Sequence, residues 1–384
     1  MIRRLCSPLL SSSFFLFGAR ATGKTTFLRT YLAKERVYWV DLLDPELEDR
    51  YLAHPRLFYD EVQLRANEFD WVVIDEVQKC PTLLNYVHKL IEQKHHKFAL
   101  TGSSARKLRR GAANLLAGRA LLNELYPLTA LELGQDFDLL QVLNWGALPG
   151  LLAFQTDMEK TAYLDSYAHT YLKEEIFAEQ LVRKMQPFRR FLELSAQCHG
   201  AQLSYRKLGR DLDLDGKTVQ NYFQILEDTL VGFLLYPHHT SLRKSLSQVP
   251  KFYFFDLGVQ RALAKILRGS VVERTSAFGE AFEAFVILEI QRHNSYSRSG
   301  YTLEYFSDGT YEIDLILSRG PRDVTALEIK STQQVTQAQI KKFSDLADST
   351  GAHRKILLSQ DKVERLHQGV ECLHWRTVLC QLFP

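Results

Sequence analysis

Residues 18–25 of this chain, GARATGKT, fit the pattern G-x-x-x-x-G-K-T, and few short motifs restrict a fold as tightly. The run before it, SFFLF, is almost wholly apolar and has the length of a buried strand. The run after it, TFLRTYLAKE, repeats apolar positions at helical spacing. Strand, loop and helix in that order place the motif in an α/β sheet. Gly18 and Gly23 let the backbone curl until its N–H groups face a phosphate at the helix N-terminus. Ala19, Arg20, Ala21, Thr22 and Thr26 complete the cradle. Lys24 would reach the β- and γ-phosphates of ATP, and Thr25 would coordinate Mg²⁺.

Hydrolysis needs a second metal carboxylate and a group that activates water. FDWVVIDEVQKCP offers both, as a buried strand from Trp71 to Ile74 that ends in Asp75 and Glu76. Asp75 would join the Mg²⁺ shell, and Glu76 would act on the attacking water. A third buried strand, KFALTGSS, brings Thr101, Ser103 and Ser104 to a parallel-sheet edge where ligands collect. Ser103 is the candidate γ-phosphate sensor. The following ARKLRRGAANLLAGRA carries Arg106, Lys107, Arg109, Arg110 and Arg119 with no acid among them. Arg119, in the tight AGRA, is the candidate arginine finger for a neighbouring subunit. A phosphate-backbone patch or a solvated loop would also account for this basic stretch.

The chain's 384 residues exceed what one core ordinarily serves, so two or three domains are expected. With 46% hydrophobic and 24% charged residues, the composition is that of a globular protein. A net charge of +3 permits nucleic-acid contact without arguing for it. Cys6, Cys80, Cys198, Cys372 and Cys380 are scattered and form no CxxC pair. That counts against a disulfide framework or zinc site and favours a reducing cytoplasm. The opening MIRRLCSPLLSSSFFLFGARA imitates a signal peptide, yet FFLFG runs straight into the phosphate loop and belongs to a domain. No run approaches the roughly 18–20 apolar residues of a membrane span.

Taken together, GARATGKTTFL, WVVIDEVQKCP, LTGSSARKLRRGAANLLAGRA and ELYPLTALEL resemble a family of predicted prokaryotic ATPases. It is an AAA+-like P-loop group whose members carry an uncharacterised C-terminal domain. The resemblance covers nearly the whole chain and is specific in the N-terminal part. It implies ATP binding and hydrolysis, and it names no substrate. In such proteins the GR of LAGRA recurs just before the YPL segment, which the resemblance offers in support of Arg119.

From LPGLLAF to about Leu230 the pattern is helical. Tyr163, Tyr167 and Tyr171 form a row that core packing explains better than base stacking. Within LSYRKLGRDLDLDGKTVQNYFQILED, a helix from Tyr205 to Leu212, an acidic turn and a helix capped near Asp215 form a helix-turn-helix pattern. Strands at 231–236 and in KFYFFD would make a wing, with Arg243, Lys244 and Lys251 in or beside its loop. A nucleic-acid reader of this kind would present Lys217, Thr218, Gln220, Asn221 and Gln224 to a groove. The turn's aspartates would repel phosphate, and such modules also serve as protein contacts. The pairs His95–His96 and His238–His239 lack metal-ligand spacing.

The last part begins with the helix FGEAFEAFVILEIQRH, where Glu283 sits among apolar residues. YEIDLIL and VTALEIKST then form two strands around a short loop. Asp314 would lie beside Glu328 and Lys330 on one face of the hairpin. Helix Glu283, strand Asp314 and the Glu328-x-Lys330 pair resemble the PD-(D/E)xK nuclease fold. In that reading the carboxylates hold Mg²⁺ and Lys330 stabilises developing charge. The bland alternative is a sheet-face ion pair, worth about 0–1 kcal/mol if exposed.

The expected fold class is α/β in three parts. They are an AAA+-like P-loop domain over 1–150, a helical and winged-helix segment over 151–268, and a nuclease-like α/β domain over 269–384. The function expected is that of an ATP- and Mg²⁺-dependent hydrolase acting on nucleic acid, DNA rather than RNA, as a cytoplasmic homo-oligomer without a membrane partner. Two alternatives stay open: a nucleotide-switched DNA-binding regulator that cuts nothing, and a protein-remodelling or scaffold ATPase.

Overall fold

The apolar run ahead of the phosphate loop forms β1 (Ser13–Phe17), buried along its whole length. It pairs in parallel with β4 (Lys97–Gly102) on one side and β5 (Ala120–Glu124) on the other. Further strands β2 (Val37–Asp41) and β3 (Trp71–Asp75) extend the sheet in the order β2-β3-β4-β1-β5, and every pairing is parallel. Parallel strands need crossovers. α1 (Lys24–Tyr31) and α2 (Leu83–Glu92) are two of them. Phe17, Val40, Ile74 and Leu100 of the sheet share one core with Leu84 and Val87 of α2. β5 closes the sheet as an exposed edge, with Leu122 at 64% exposure.

The computed structural model describes residues 2–103, 116, 118–171, 185–239 and 249–384. They divide into two units, Met1–Leu128 with Asp228–Val231, and Thr129–Glu227 with Gly232–Pro384. The β1–β5 sheet belongs to the first.

In the second unit, α3 (Tyr205–Leu212) and α4 (Gly216–Asp228) flank a turn in which Asp213 takes a left-handed conformation, φ 57°. Ser204 caps α3 by accepting from Lys207 N, and Asp215 accepts from Thr218 N at 2.8 Å. Lys217, Gln220, Asn221 and Gln224 are exposed along α4, and Thr218 is half-buried.

The two strands expected as a wing are β6 (Gly232–Pro237) and β7 (Lys251–Phe254), paired antiparallel. They do not stand apart as a wing. β6 also pairs in parallel with β8 (Thr302–Ser307), through Tyr236 with Glu304 and Pro237 with Tyr305. A strand edge left unpaired is a liability, and a sheet that can take it up will do so. The outcome is one eight-stranded sheet in the order β12-β13-β11-β10-β9-β8-β6-β7. It includes β9 (Glu312–Ser318), β10 (Val324–Ile329), β11 (Arg354–Ser359), β12 (Arg365–His367) and β13 (Val370–His374). Arg243 and Lys244 lie outside the described residues.

Two buried acids tie this unit together. Asp256 is fully buried and caps α5 (Leu257–Leu263), accepting from Val259 N at 3.1 Å and from Ala147 N at 2.7 Å. Glu289, on the long helix α6 (Ser276–Ser297), accepts from Ala130 N at 2.9 Å and pairs with Arg292 at 3.1 Å. Asp256→Ala leaves two buried N–H groups unpaired and removes a cap. It should cost about 2–4 kcal/mol, read as a lower midpoint in guanidinium denaturation.

Candidate functional site

The phosphate loop leaves β1 and is held from three directions. Gly18 N donates to Gly102 O at 3.3 Å, and Leu125 N donates to Phe17 O at 2.7 Å. A Cβ at Gly18 would stand 2.3 Å from Leu125 O, so only glycine fits between loop and β5. Arg4 donates to Thr22 O at 3.0 Å and to Tyr126 O at 2.5 Å, pinning the loop's crown to the segment after β5. Inside the loop Thr22 Oγ1 donates to Ala19 O at 2.8 Å, while Ala21 and Gly23 take left-handed conformations, φ 60° and 90°. Arg20 and Thr26 are exposed, at the mouth of the loop and on α1. Lys24 is buried, and its Nζ donates to Gly18 O at 2.9 Å.

Asp75, Glu76 and Ser103 arrive at the same edge because β3 and β4 end beside β1. Asp75 accepts from Thr25 Oγ1 at 2.6 Å through one carboxylate oxygen and from Thr101 Oγ1 through the other. Thr101 Oγ1 in turn accepts from Glu76 N at 3.0 Å. Glu76 Oε1 lies 4.0 Å from Lys24 Nζ. Its other oxygen accepts from Gln78, which also donates to Ser103 Oγ at 3.1 Å. Gln78 was not singled out in the sequence, although it lies two positions after Glu76.

Arg119 is not brought to this edge. It precedes Ala120, which pairs with Ser13 at the start of β1, about 16 Å along the strand from the loop. There it donates to Glu92 Oε1 at 2.9 Å, with both side chains substantially exposed. Within its own subunit Arg119 cannot touch the nucleotide loop. Ser104, Arg106, Lys107, Arg109 and Arg110 lie outside the described residues.

A second constellation occupies the eight-stranded sheet. β9 and β10 pair antiparallel, with Leu315 opposite Leu327. Asp314 Oδ2 accepts from Ile329 N at 2.7 Å, and Lys330 Nζ donates to Glu328 Oε1 at 2.5 Å. Burial, reinforced by the Asp314 charge, lifts Glu283 to about 8 and Glu328 to about 7. Burial raises Asp314 as well. A fourth acid, Glu312, pairs at 2.8 Å with Lys251 of β7, whose side chain is 5% exposed. Burial opposes the charge of Lys251, but Glu283, Glu312 and Asp314 outweigh it and raise its pKa. Tyr253, two residues on, donates to Glu283 Oε1 at 3.3 Å.

The acids thus converge, but around two lysines. Among the described residues no group of three His, Cys, Asp or Glu side chains is placed to hold a metal ion. Lys330 donates to Glu328 and the Ile329 N–H donates to Asp314, so both carboxylates already have a partner. The contribution of Lys251, Tyr253 and Glu312 was missed. The spacing of Lys251 and Tyr253 puts them on one strand face, but nothing local says that this face meets α6 and β9.

Comparison with known proteins divides the chain in three. Residues 11–134 match the model of an AAA domain. Residues 136–269 match a Domain of unknown function (DUF8612), and residues 278–378 another, DUF4143. With its five-stranded parallel sheet, the first unit is a P-loop NTPase fold of the AAA type. An AAA domain supports nucleotide binding and ATPase activity. Uncharacterized proteins of Mycobacterium tuberculosis and Mycobacterium bovis are each 28% identical over 277 residues, covering 72% of this chain. The match spans only 61% of their length. An uncharacterized protein of Methanocaldococcus jannaschii is 20% identical over 357 residues, 85% of this chain and 77% of its own. A chain in a structure of Drosophila ORC bound to AT-rich DNA and Cdc6 is 11% identical, with a TM-score of 0.23, over 67% of this chain and 86% of that one. That likeness carries no argument. Among the described residues no helix is long and apolar enough to cross a membrane.

The raised carboxyls make stability depend on pH. A carboxyl lifted by folding stabilises the fold below its unfolded pKa, near 4.3, and that contribution is lost as pH rises through the folded value. For Glu328 and Glu283 the window runs from about 4.3 to about 7 and about 8. Wild type should therefore lose melting temperature between pH 5 and pH 8, and Glu283→Gln should lose less. Parallel slopes for the two proteins in a differential scanning fluorimetry series would refute the assignment.

Proposed function

We propose that the chain binds ATP with Mg²⁺ at residues 18–26 and hydrolyses it. The observation that carries this reading is the hydroxyl–carboxylate chain Thr25–Asp75–Thr101 beside Lys24 and Glu76. Thr25 Oγ1 and Asp75 Oδ2, 2.6 Å apart, are the hard oxygen donors Mg²⁺ prefers. When bound, the ion would neutralise charge on the β- and γ-phosphates. Lys24 would do the same from the loop. Glu76 takes a proton from water, the water oxygen bonds to the γ-phosphorus, and the bond to the bridging oxygen breaks to release ADP. Lys24→Ala should abolish binding of a fluorescent ATP analogue. Glu76→Gln should leave that binding intact and lower kcat by about 10²–10⁴-fold. Retained turnover in Glu76→Gln would remove Glu76 from the reaction.

The finer reading couples this turnover to nucleic acid, DNA rather than RNA, in a homo-oligomer that offers Arg119 to a neighbouring copy. Its support is the exposed row Lys217, Gln220, Asn221 and Gln224 on the second helix of a helix-turn-helix. Glu283, Asp314, Glu328 and Lys330 are the residues for Mg²⁺-dependent cleavage in this reading, with an ion having to displace Lys330 from Glu328. Five cysteines that form no disulfide among the described residues fit a cytoplasmic setting. The regulator reading predicts DNA binding without cleavage, and the scaffold reading predicts neither. Duplex affinity should fall steeply with salt, and Lys217→Ala should reduce the slope of log affinity against log salt by about 1. Affinity insensitive to salt would favour the scaffold. Plasmid nicking in Mg²⁺ that Asp314→Ala abolishes would establish the cleavage site.

A further inference from the structure

Glu76 stands on a left-handed residue, φ 57°, directly after β3, so its backbone alone does not aim its carboxylate. The side chain that does is Gln78, 8% exposed beneath it. Gln78 Nε2 donates to Glu76 Oε2 and to Ser103 Oγ, the second at 3.1 Å. Chemistry dictates the polarity of this link. A carboxylate only accepts, so the amide must turn its NH₂ toward Glu76. The same nitrogen's second proton goes to Ser103, which accepts and keeps its own O–H free to donate.

The other half of the amide shows what this orientation demands. Gln78 Oε1 is buried and has no donor among the described residues. It lies against Gly102, where a Cβ would be 2.7 Å away. An unpaired buried amide oxygen is destabilising, and a residue serving only to fill space would avoid that penalty. Gln78 therefore holds an energetically poor position at one end in order to make two bonds at the other.

We propose that Gln78 is a positioning residue that links Ser103 to Glu76. Ser103 donates its free O–H to the γ-phosphate of bound ATP, and the amide transmits that placement to the carboxylate that takes the proton from water. The link makes Glu76 competent when a third phosphate is present, and it rests on the ATPase reading above.

The test compares phosphate release with binding of a fluorescent ATP analogue. The full chains needed are wild type, Gln78→Leu, Gln78→Asn, Ser103→Ala and the Gln78→Leu/Ser103→Ala double variant. Gln78→Leu keeps the bulk under Gly102 and removes both bonds. It should fold with an unchanged or higher Tm, bind the analogue within about threefold of wild type, and lose kcat by about tenfold or more. Gln78→Asn, one methylene short, should lose comparably because reach and not polarity fails. The double variant should be no slower than the slower single, as expected when two residues act through one link. Wild-type kcat in Gln78→Leu, or single losses that multiply in the double, would overturn the proposal. If wild type binds nucleotide but releases no phosphate, the ATPase reading itself fails and the link falls with it.

Discussion

Asp75 is the group on which the nucleotide site turns. Its two oxygens each take a hydroxyl from a different element, Thr25 at the start of α1 and Thr101 on β4. Thr101 passes the restraint on to the Glu76 backbone. The start of α1, the end of β3 and the end of β4 are thereby linked to one another. A carboxylate held by two hydroxyls stays put, and preorganised oxygens of that kind are what a phosphate-bound cation requires.

The acidic centre of the other sheet works on a different principle. Its acids are crowded until their protons are held more tightly, and two lysines offset the crowding. Lys330 comes from the strand that also carries Glu328. Lys251 comes from a hairpin nearly eighty residues earlier in the chain. Such a centre draws its positive charge from protons and lysines. Electrostatics of this kind are expensive to bury without a compensating role.

What could be read from the sequence followed the range of the interactions. The phosphate loop, the strand ending in Asp75 and Glu76, and the hairpin bearing Asp314, Glu328 and Lys330 are each encoded within a few dozen residues. Periodicity and turn chemistry suffice for them. The helix pair Tyr205–Leu212 and Gly216–Asp228 was legible for the same reason, since Ser204 and Asp215 mark its starts. Sheet order was not legible. Nothing in the residues of β6 announces that its other edge pairs with β8, so the hairpin of β6 and β7 was legible but its place in the larger sheet was not. The seat of Arg119 is likewise a matter of register between β5 and β1. Lys251 and Tyr253 gain their neighbours only through tertiary packing.

The joined sheet has a consequence for how such chains are inherited. The boundary between the two domains of unknown function falls between residues 269 and 278, yet β6 and β7 lie on one side of it and β8 on the other. A recombination event that exchanged only the C-terminal partner would have to match a foreign strand edge and supply its own counter-charge for Lys251. The two modules are therefore coupled across that boundary by a shared strand pairing and by the Lys251–Glu312 ion pair.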